Sequence, residues 1–593
     1  MLSAGPKYQQ ALAHIGAARY DEAIAILQSL QKIDPRDATI ASALGKCFAE
    51  TGRNDLALYS VERCLQLNPA DRVAAINLLQ LLVICGKKKE AAERGRKLME
   101  RFGRDPQVVY SYASALVAAL RYDEAERLIV EFQTRVGPSP ALLSYLGAIL
   151  LNLGRAPEAE KVLRETLRLM PGEPTTTGLL ASTLNYLDGA DRRECFEWHR
   201  AFGRAVEQGR PLVDPLSFPA TPDPERVVRV GLVSPDFREH PVARFVEAIL
   251  RHHDPARVHL TCFFNFPTDD EVTDELRQLA DGWVALRNSR PDELARAVRE
   301  AGIDVLIELC GLTANSPLFA MAPRLAPVQV SAIGYPHTTG MSVVDYRIVD
   351  ARTDPEPEAD AFATERLLRL DPCFLCYTPR HTRLPSPPPH ESSGVVTFGS
   401  FNKITKYSDR ALALWARVVD RVPGSRLIVK TAALEGESAR RHVASRLTAA
   451  GLAPDRFELV GLQNKASDHL AMYDRVDVAL DTFPYHGTTT TCEALSMGVP
   501  VIVLEGDAHA SRVGVSLLHA VGVPEFLARS EQEYLEKAIA LASDRARLSE
   551  LRATLRGRLL ASALCDGKAY AERFERAIRL MWRSWCERRH ART

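Results

Sequence analysis

The chain has 593 residues, with 75 Lys plus Arg balanced by 75 Asp plus Glu. That length gives room for roughly three or four domains with sizeable cores, and the zero net charge excludes the basic footprint of a general nucleic-acid binder. The opening "MLSAGPKYQQALAHIGAARYDEAI" has no basic segment leading into an apolar core, and no later run reaches bilayer-spanning length. A cytoplasmic chain with no nucleic-acid or membrane partner is therefore expected.

The first third is a repeat array. Alanine recurs at Ala23, Ala57, Ala91, Ala125 and Ala159, always 34 residues apart, within "DEAIAIL", "DLALYSV", "KEAAERG", "DEAERLI" and "PEAEKVL". Gly52, Gly86 and Gly154 follow the same period at helix ends, and Pro35, Pro69 and Pro171 at repeat ends. The pattern resembles the tetratricopeptide repeat, clearest in "ALGKCFAETGRNDLALYSVERCLQLNP", where small residues let paired helices approach and stacking builds a superhelix. An all-α array is expected over 1–200, its last repeat degenerate, serving as a scaffold, a homodimer contact or a groove for an extended polypeptide.

After a linker at 201–225 the period changes. "VVRVGLVSPDF", "RVHLTCFFNF", "DVLIELCG" and "PVQVSAIGYP" are short β-rich runs separated by helix-length segments, the alternation of a parallel sheet with crossover helices. This first lobe spans 226–377. A Pro- and Ser-rich stretch at 378–394 interrupts it, and "VVTFGSFN", "SRLIVKT", "FELVGL", "VDVALDTFP" and "PVIVLEG" restart the pattern over 395–560, with a C-terminal helix at 561–593. Two doubly wound α/β lobes leave a cleft beyond their strand ends, the expected active site. Cys373 and Cys376 form the only C-x-x-C, with no second pair to complete a zinc site, so free thiols are expected.

In "LDTFPYHGTTTTCEAL", Gly487 permits a tight turn and Thr488, Thr489, Thr490 and Thr491 stand where a helix begins. Unpaired helix N–H groups and hydroxyls together make a phosphate cradle; the bland alternative is a Thr-rich N-cap. Glu493, a turn later, is placed to accept hydrogen bonds from a ribose. "FGSFNKITKYSDRA" puts Lys403 and Lys406 at another strand end, where either can face a diphosphate. No D-x-D stands at a strand end, so a metal-independent site without a cofactor is expected. In the first lobe, "SPDFREHP" places His240 at a turn into a helix, and "IGYPHTTG" places Tyr335, His337, Thr338 and Thr339 at a second rim. Backbone groups near "GLQNK" and its last residue, Lys465, are expected to read the base, with His469 and His486 as further candidates.

Together, "SPDFREHP", "GYPHTTG", "FNKITK", "LDTFPYHGTTTTCEAL" and the junction "LNYLDGADRRECFEWHRAFG" resemble the O-GlcNAc transferase and SPINDLY family over nearly the whole chain. The resemblance implies an inverting GT-B glycosyltransferase that moves a sugar from a nucleotide sugar to Ser or Thr hydroxyls of proteins. It makes His240 the proposed base or acceptor-positioning group, Lys406 the diphosphate lysine, Thr489 and Thr490 the phosphate-loop threonines and Glu493 the ribose carboxylate. Departures exist: O-GlcNAc transferase has a histidine where this chain has Thr488 and an aspartate where it has Glu493, and little of that family's asparagine ladder remains, with Ala43, Asn77, Ser111 and Tyr145 at the equivalent positions. "TFGSFN" and "FPYHGTTTTCE" lie nearer the SPINDLY branch, which uses GDP-fucose, whereas "ASRV" is transferase-like. UDP-GlcNAc is the expected donor and GDP-fucose the alternative. A non-catalytic repeat scaffold and a transferase for a small molecule or glycan are the readings from other classes.

Overall fold

The computed structural model describes residues 5–286, 291–462 and 466–592. They form two compact units, Met1–Leu150 with Gly436–Ala439, and Leu151–Glu435 with Arg440–Thr593.

Twelve helices run from Pro6 to Glu207. The five alanines of the 34-residue period are all fully buried, as small residues must be where two helix backbones close up. Two further features keep the same period. Ala18, Gly52, Gly86, Leu120 and Gly154 all have φ between 56° and 74°, the left-handed turn that reverses the chain within each helical pair. Asp37, Asp71, Asp105 and Glu173 each accept hydrogen bonds from backbone N–H groups of the helix they precede, satisfying donors that have no partner inside the helix.

The last of these helices, Arg192–Glu207, continues seven residues into the stretch read as linker. Phe202 and Val206 are buried with Leu318 and Met341 of the first lobe, which is why the helix does not stop at 200. Its approach to that lobe is backbone to backbone. A Cβ on Gly203 would lie 1.9 Å from the Gly340 oxygen, and one on Gly340 1.8 Å from the His199 oxygen. Only glycine fits at either position.

The first lobe has a parallel sheet of β1 (Val228–Ser234), β2 (Val258–Phe264), β3 (Gly282–Ala285), β4 (Val305–Glu308), β5 (Val328–Ser331), β6 (Tyr346–Val349) and β7 (Arg366–Arg369), in the order 3-2-1-4-5-6-7. The second has β8 (Thr397–Ser400), β9 (Arg426–Lys430), β10 (Phe457–Val460), β11 (Val478–Leu480), β12 (Val501–Leu504) and β13 (Leu527–Ala528), in the order 10-9-8-11-12-13. Every residue of β4, β5 and β12 is buried, as expected for parallel strands covered on both faces. Strand order reverses between β1 and β4 in one lobe and between β8 and β11 in the other. A crevice opens at such a switch, beyond the carboxyl ends of the strands. This two-sheet arrangement is GT-B-like.

The Gly567–His590 helix returns to the first lobe. Phe574, Ile578, Met581, Trp582 and Trp585 join the core on β1 and β5, and the two tryptophan rings stack 4.7 Å apart. Trp582 Nε1 donates to the Asp223 oxygen at 2.9 Å, and Glu575 accepts from the Asp254 N–H at 2.7 Å. All eleven cysteines are unpaired. No helix among the described residues is long and apolar enough to cross a membrane.

Candidate functional site

Both switch points carry site residues. After β8 the chain runs through Asn402, Lys403 and the short helix Ile404–Lys406; after β11 it runs through Asp481 to the helix Thr489–Ser496. The two loops are bonded to each other. Asp481 Oδ1 accepts from the N–H groups of Thr482 and Gly487, at 2.9 and 2.8 Å, and from Asn402 Nδ2 at 3.2 Å. Asn402 Oδ1 accepts in turn from the Thr490 hydroxyl at 2.9 Å. A Cβ on Gly487 would come within 2.8 Å of Asp481 Oδ1 and of the Thr490 and Thr491 hydroxyls, so glycine keeps this turn closed.

Lys406 is delivered into this turn. Its Nζ donates to the His486 backbone oxygen at 2.6 Å and lies 4.4 Å from the centre of the Tyr485 ring, which stacks on Tyr186 at 4.7 Å. Burial pulls the amine down to about 7; the Asp481 charge opposes the shift and Lys403 adds to it. Beside it, the Thr489 and Thr491 hydroxyls and Asp481 Oδ2 are buried without a hydrogen-bond partner among the described residues. A cation, two uncommitted hydroxyls and a helix N-terminus meet at one switch point, an arrangement chemically able to hold a phosphorylated group. Thr488 occupies the N-cap, with no hydrogen bond from its side chain to the helix. Glu493 accepts from His469 Nε2 at 2.9 Å.

Across the cleft, His240 follows β1, its Nδ1 3.5 Å from Asp236 Oδ2 and 3.4 Å from the Val242 N–H. Burial, helped by the charges of Lys403 and Arg238, pulls it down to about 4, so the ring is neutral at ordinary pH. Lys403 acts on Asp236 as well. The charge of the exposed Lys403 of one lobe is thus felt at the histidine turn of the other.

The other predicted side chains do different work. The His486 ring points into the core, with Nε2 on the Leu504 oxygen at 2.8 Å and Nδ1 accepting from the Gly514 N–H at 3.1 Å; only its carbonyl reaches the site. Thr338 and Thr339 do not present hydroxyls to the rim, because both donate to Glu365, each at 2.5 Å. Tyr335 is buried, its hydroxyl 2.8 Å from His199 Nε2 and accepting from Asn185 Nδ2 at 3.0 Å. His337 stacks on His199 at 3.9 Å and lines a cavity of about 560 Å³ with Arg192, Phe483 and Asp507. Lys465 lies outside the described residues.

Sequence reading missed Asn402, Asp481, Tyr186 and Tyr485, which hold the turn around Gly487 and Lys406, and the left-handed backbone at Ile333. A β-branched residue at φ 65° just past β5 is strained backbone of the kind that collects at ligand sites. Apart from the short-range link between Asp481 and Gly487, no spacing rule relates these positions.

The sequence profile described as glycosyl transferase family 41 matches residues 213–383 and 389–574. The chain belongs to that family. A tetratricopeptide-repeat profile matches residues 8–72 and 110–174. A protein of Solanum lycopersicum named as a probable UDP-N-acetylglucosamine-peptide N-acetylglucosaminyltransferase SPINDLY is 42% identical over 409 residues, covering 68% of this chain and 44% of that relative. One of Arabidopsis thaliana, with the same activity in its name but called SEC, is 30% identical over 372 residues, covering 60% and 37%. This family 41 chain thus spans less than half the length of these curated relatives. Its fold superposes on a solved O-GlcNAc transferase of Thermobaculum terrenum, a lysine-to-methionine variant, with a TM-score of 0.76 and 31% identity over 93% of this chain and 98% of that one.

Proposed function

We propose that the protein transfers a single sugar, with inversion and without a metal, from UDP-GlcNAc to Ser or Thr hydroxyls of polypeptides bound along its repeats. The observation that carries this reading is the Lys406 amine beside the uncommitted hydroxyls of Thr489 and Thr491 at a helix N-terminus. Charge develops on a leaving diphosphate as its bond to the anomeric carbon breaks. A cation and fixed donors aimed at that point lower the barrier without reorganising. Glu493 accepts from the ribose hydroxyls. The acceptor oxygen attacks the opposite face of the anomeric carbon, and its proton passes to the neutral His240 ring.

A second reading comes from the motifs "TFGSFN" and "FPYHGTTTTCE", whose resemblance to the SPINDLY branch implies GDP-fucose transfer by the same groups; the relatives named SPINDLY carry UDP-N-acetylglucosamine in their names. Purified protein incubated with each nucleotide sugar and protein acceptors, followed by mass spectrometry, decides between them. An added N-acetylhexosamine supports the first and a deoxyhexose the second. No transfer and no donor hydrolysis with either would leave a repeat scaffold.

A further inference from the structure

Lys430 closes β9 and is 7% exposed. Among the described residues its ammonium bonds no carboxylate: Nζ meets Nδ1 of His469 and lies 5.6 Å from the centre of the Phe401 ring. A buried ammonium without a bonded counter-ion is costly, so the contact it makes instead needs an account.

Protons settle the direction of the chain. An ammonium only donates, so His469 Nδ1 is the acceptor. The neutral ring then carries its hydrogen on Nε2, 2.9 Å from Glu493 Oε2, which accepts it. Lys430 from a strand end, His469 from the Ala466–Ala471 helix and Glu493 from the Thr489–Ser496 helix thus form a one-way relay. The other tautomer would set two donors against each other at Lys430 and two acceptors at Glu493. One carboxylate oxygen is held in place, and with it the direction in which the other faces.

We propose that Lys430 is a positioning residue for nucleotide binding: it fixes His469 in the Nε2–H tautomer that orients Glu493 toward the ribose hydroxyls. The proposal rests on the reading of Glu493 as the ribose carboxylate. Outer groups that orient metal-ligating side chains commonly matter by ten- to a hundredfold in affinity or activity, and an effect of about the lower of these is expected for a carboxylate oriented through a histidine.

The test compares wild type, Lys430→Met, which keeps an apolar stem over Phe401, and Lys430→Arg, which keeps donors. Kd is measured for UDP and its 2′,3′-dideoxy analogue, or for the GDP pair if GDP is the nucleotide bound, with donor KM and kcat alongside. The His469 tautomer is read from imidazole ¹⁵N shifts. In Lys430→Met, donor KM should rise about tenfold while kcat changes less than about twofold. The preference for the ribose over the dideoxy nucleotide should shrink toward one, and Lys430→Arg should restore most of both. A purely structural Lys430 would leave ribose preference and tautomer unchanged in the folded variant, and that result overturns the proposal. An Nδ1–H tautomer in the wild-type protein overturns it without any variant. If Glu493→Gln leaves ribose preference intact, the ribose reading itself fails, and the nitrogen shifts still report whether Lys430 sets the tautomer.

Discussion

The Lys406 ammonium donates to the backbone oxygen of His486 at 2.6 Å, so the loop after β8 and the loop after β11 meet at this lysine. Gly154 supports the same turn: a Cβ there would lie 2.6 Å from the Ile404 oxygen. The end of the repeat array thereby contributes to the position of Lys406.

Replacing Lys406 with alanine should abolish transfer while leaving the fold intact. Losing a charge-assisted contact to the leaving group costs about 3 kcal/mol or more of transition-state stabilisation, a rate loss above about a hundredfold. Burial opposes the charge on this amine in the free protein, so the thermal midpoint should hold or rise. Turnover and Tm of one preparation check both; near-normal turnover would remove Lys406 from the chemistry.

Nucleotide affinity should depend on pH above neutrality. With the free amine at about 7, the diphosphate binds the protonated form and raises its pKa. Above pH 7 binding must take up a proton, and affinity should fall by up to tenfold per pH unit; below pH 7 this group adds no dependence. Calorimetry in buffers of different ionisation enthalpy measures the uptake directly. A pH-independent Kd between 7 and 9 would contradict it.

His240 gives an opposite limb. A folded pKa near 4 keeps the ring neutral, and able to take a proton, down to that pH. The acid limb of kcat/KM assigned to it should fall near pH 4 rather than 6.5, and His240→Ala should remove that limb. The same lowered pKa means that the unfolded chain binds the extra proton first, so stability from this group is lost as pH falls from 6.5 toward 4 and is constant below.

Excess EDTA should leave transfer unchanged, because a lysine, threonine hydroxyls and a helix end supply the positive potential in the proposed mechanism. Activity lost to chelation and restored by magnesium or manganese would show that a divalent cation shares the work.

Ala18→Gly should stabilise the protein by about 1 kcal/mol. Ala18 is exposed and holds φ 56° where the equivalent Gly52, Gly86 and Gly154 each hold φ 74°. A left-handed alanine costs roughly 1–2 kcal/mol, offset in part by the extra entropy of an unfolded glycine. Chemical denaturation of the two proteins measures the difference, and a destabilised variant would show that the turn is not strained.

Local regularities were legible in the chain alone. A buried alanine every 34 residues marks helix pairs because close packing tolerates only a small side chain, and the alternation of β-rich runs with helix-length segments marks parallel sheets because both faces must be covered. The threonine run and Lys406 were legible for the same reason: the end of a strand and the start of a helix can be read within a dozen residues. What only the tertiary structure decided is which partner each polar atom found. The His486 ring turned into the core to meet Leu504 and Gly514, the Thr338 and Thr339 hydroxyls went to Glu365, and Lys430 reached Glu493 through His469. The C-terminal helix crossed back to seal the first lobe, with Trp582 on the Asp223 oxygen. These contacts join positions whose separation follows no helical or strand period, and a buried donor or acceptor is committed by the neighbour the fold delivers.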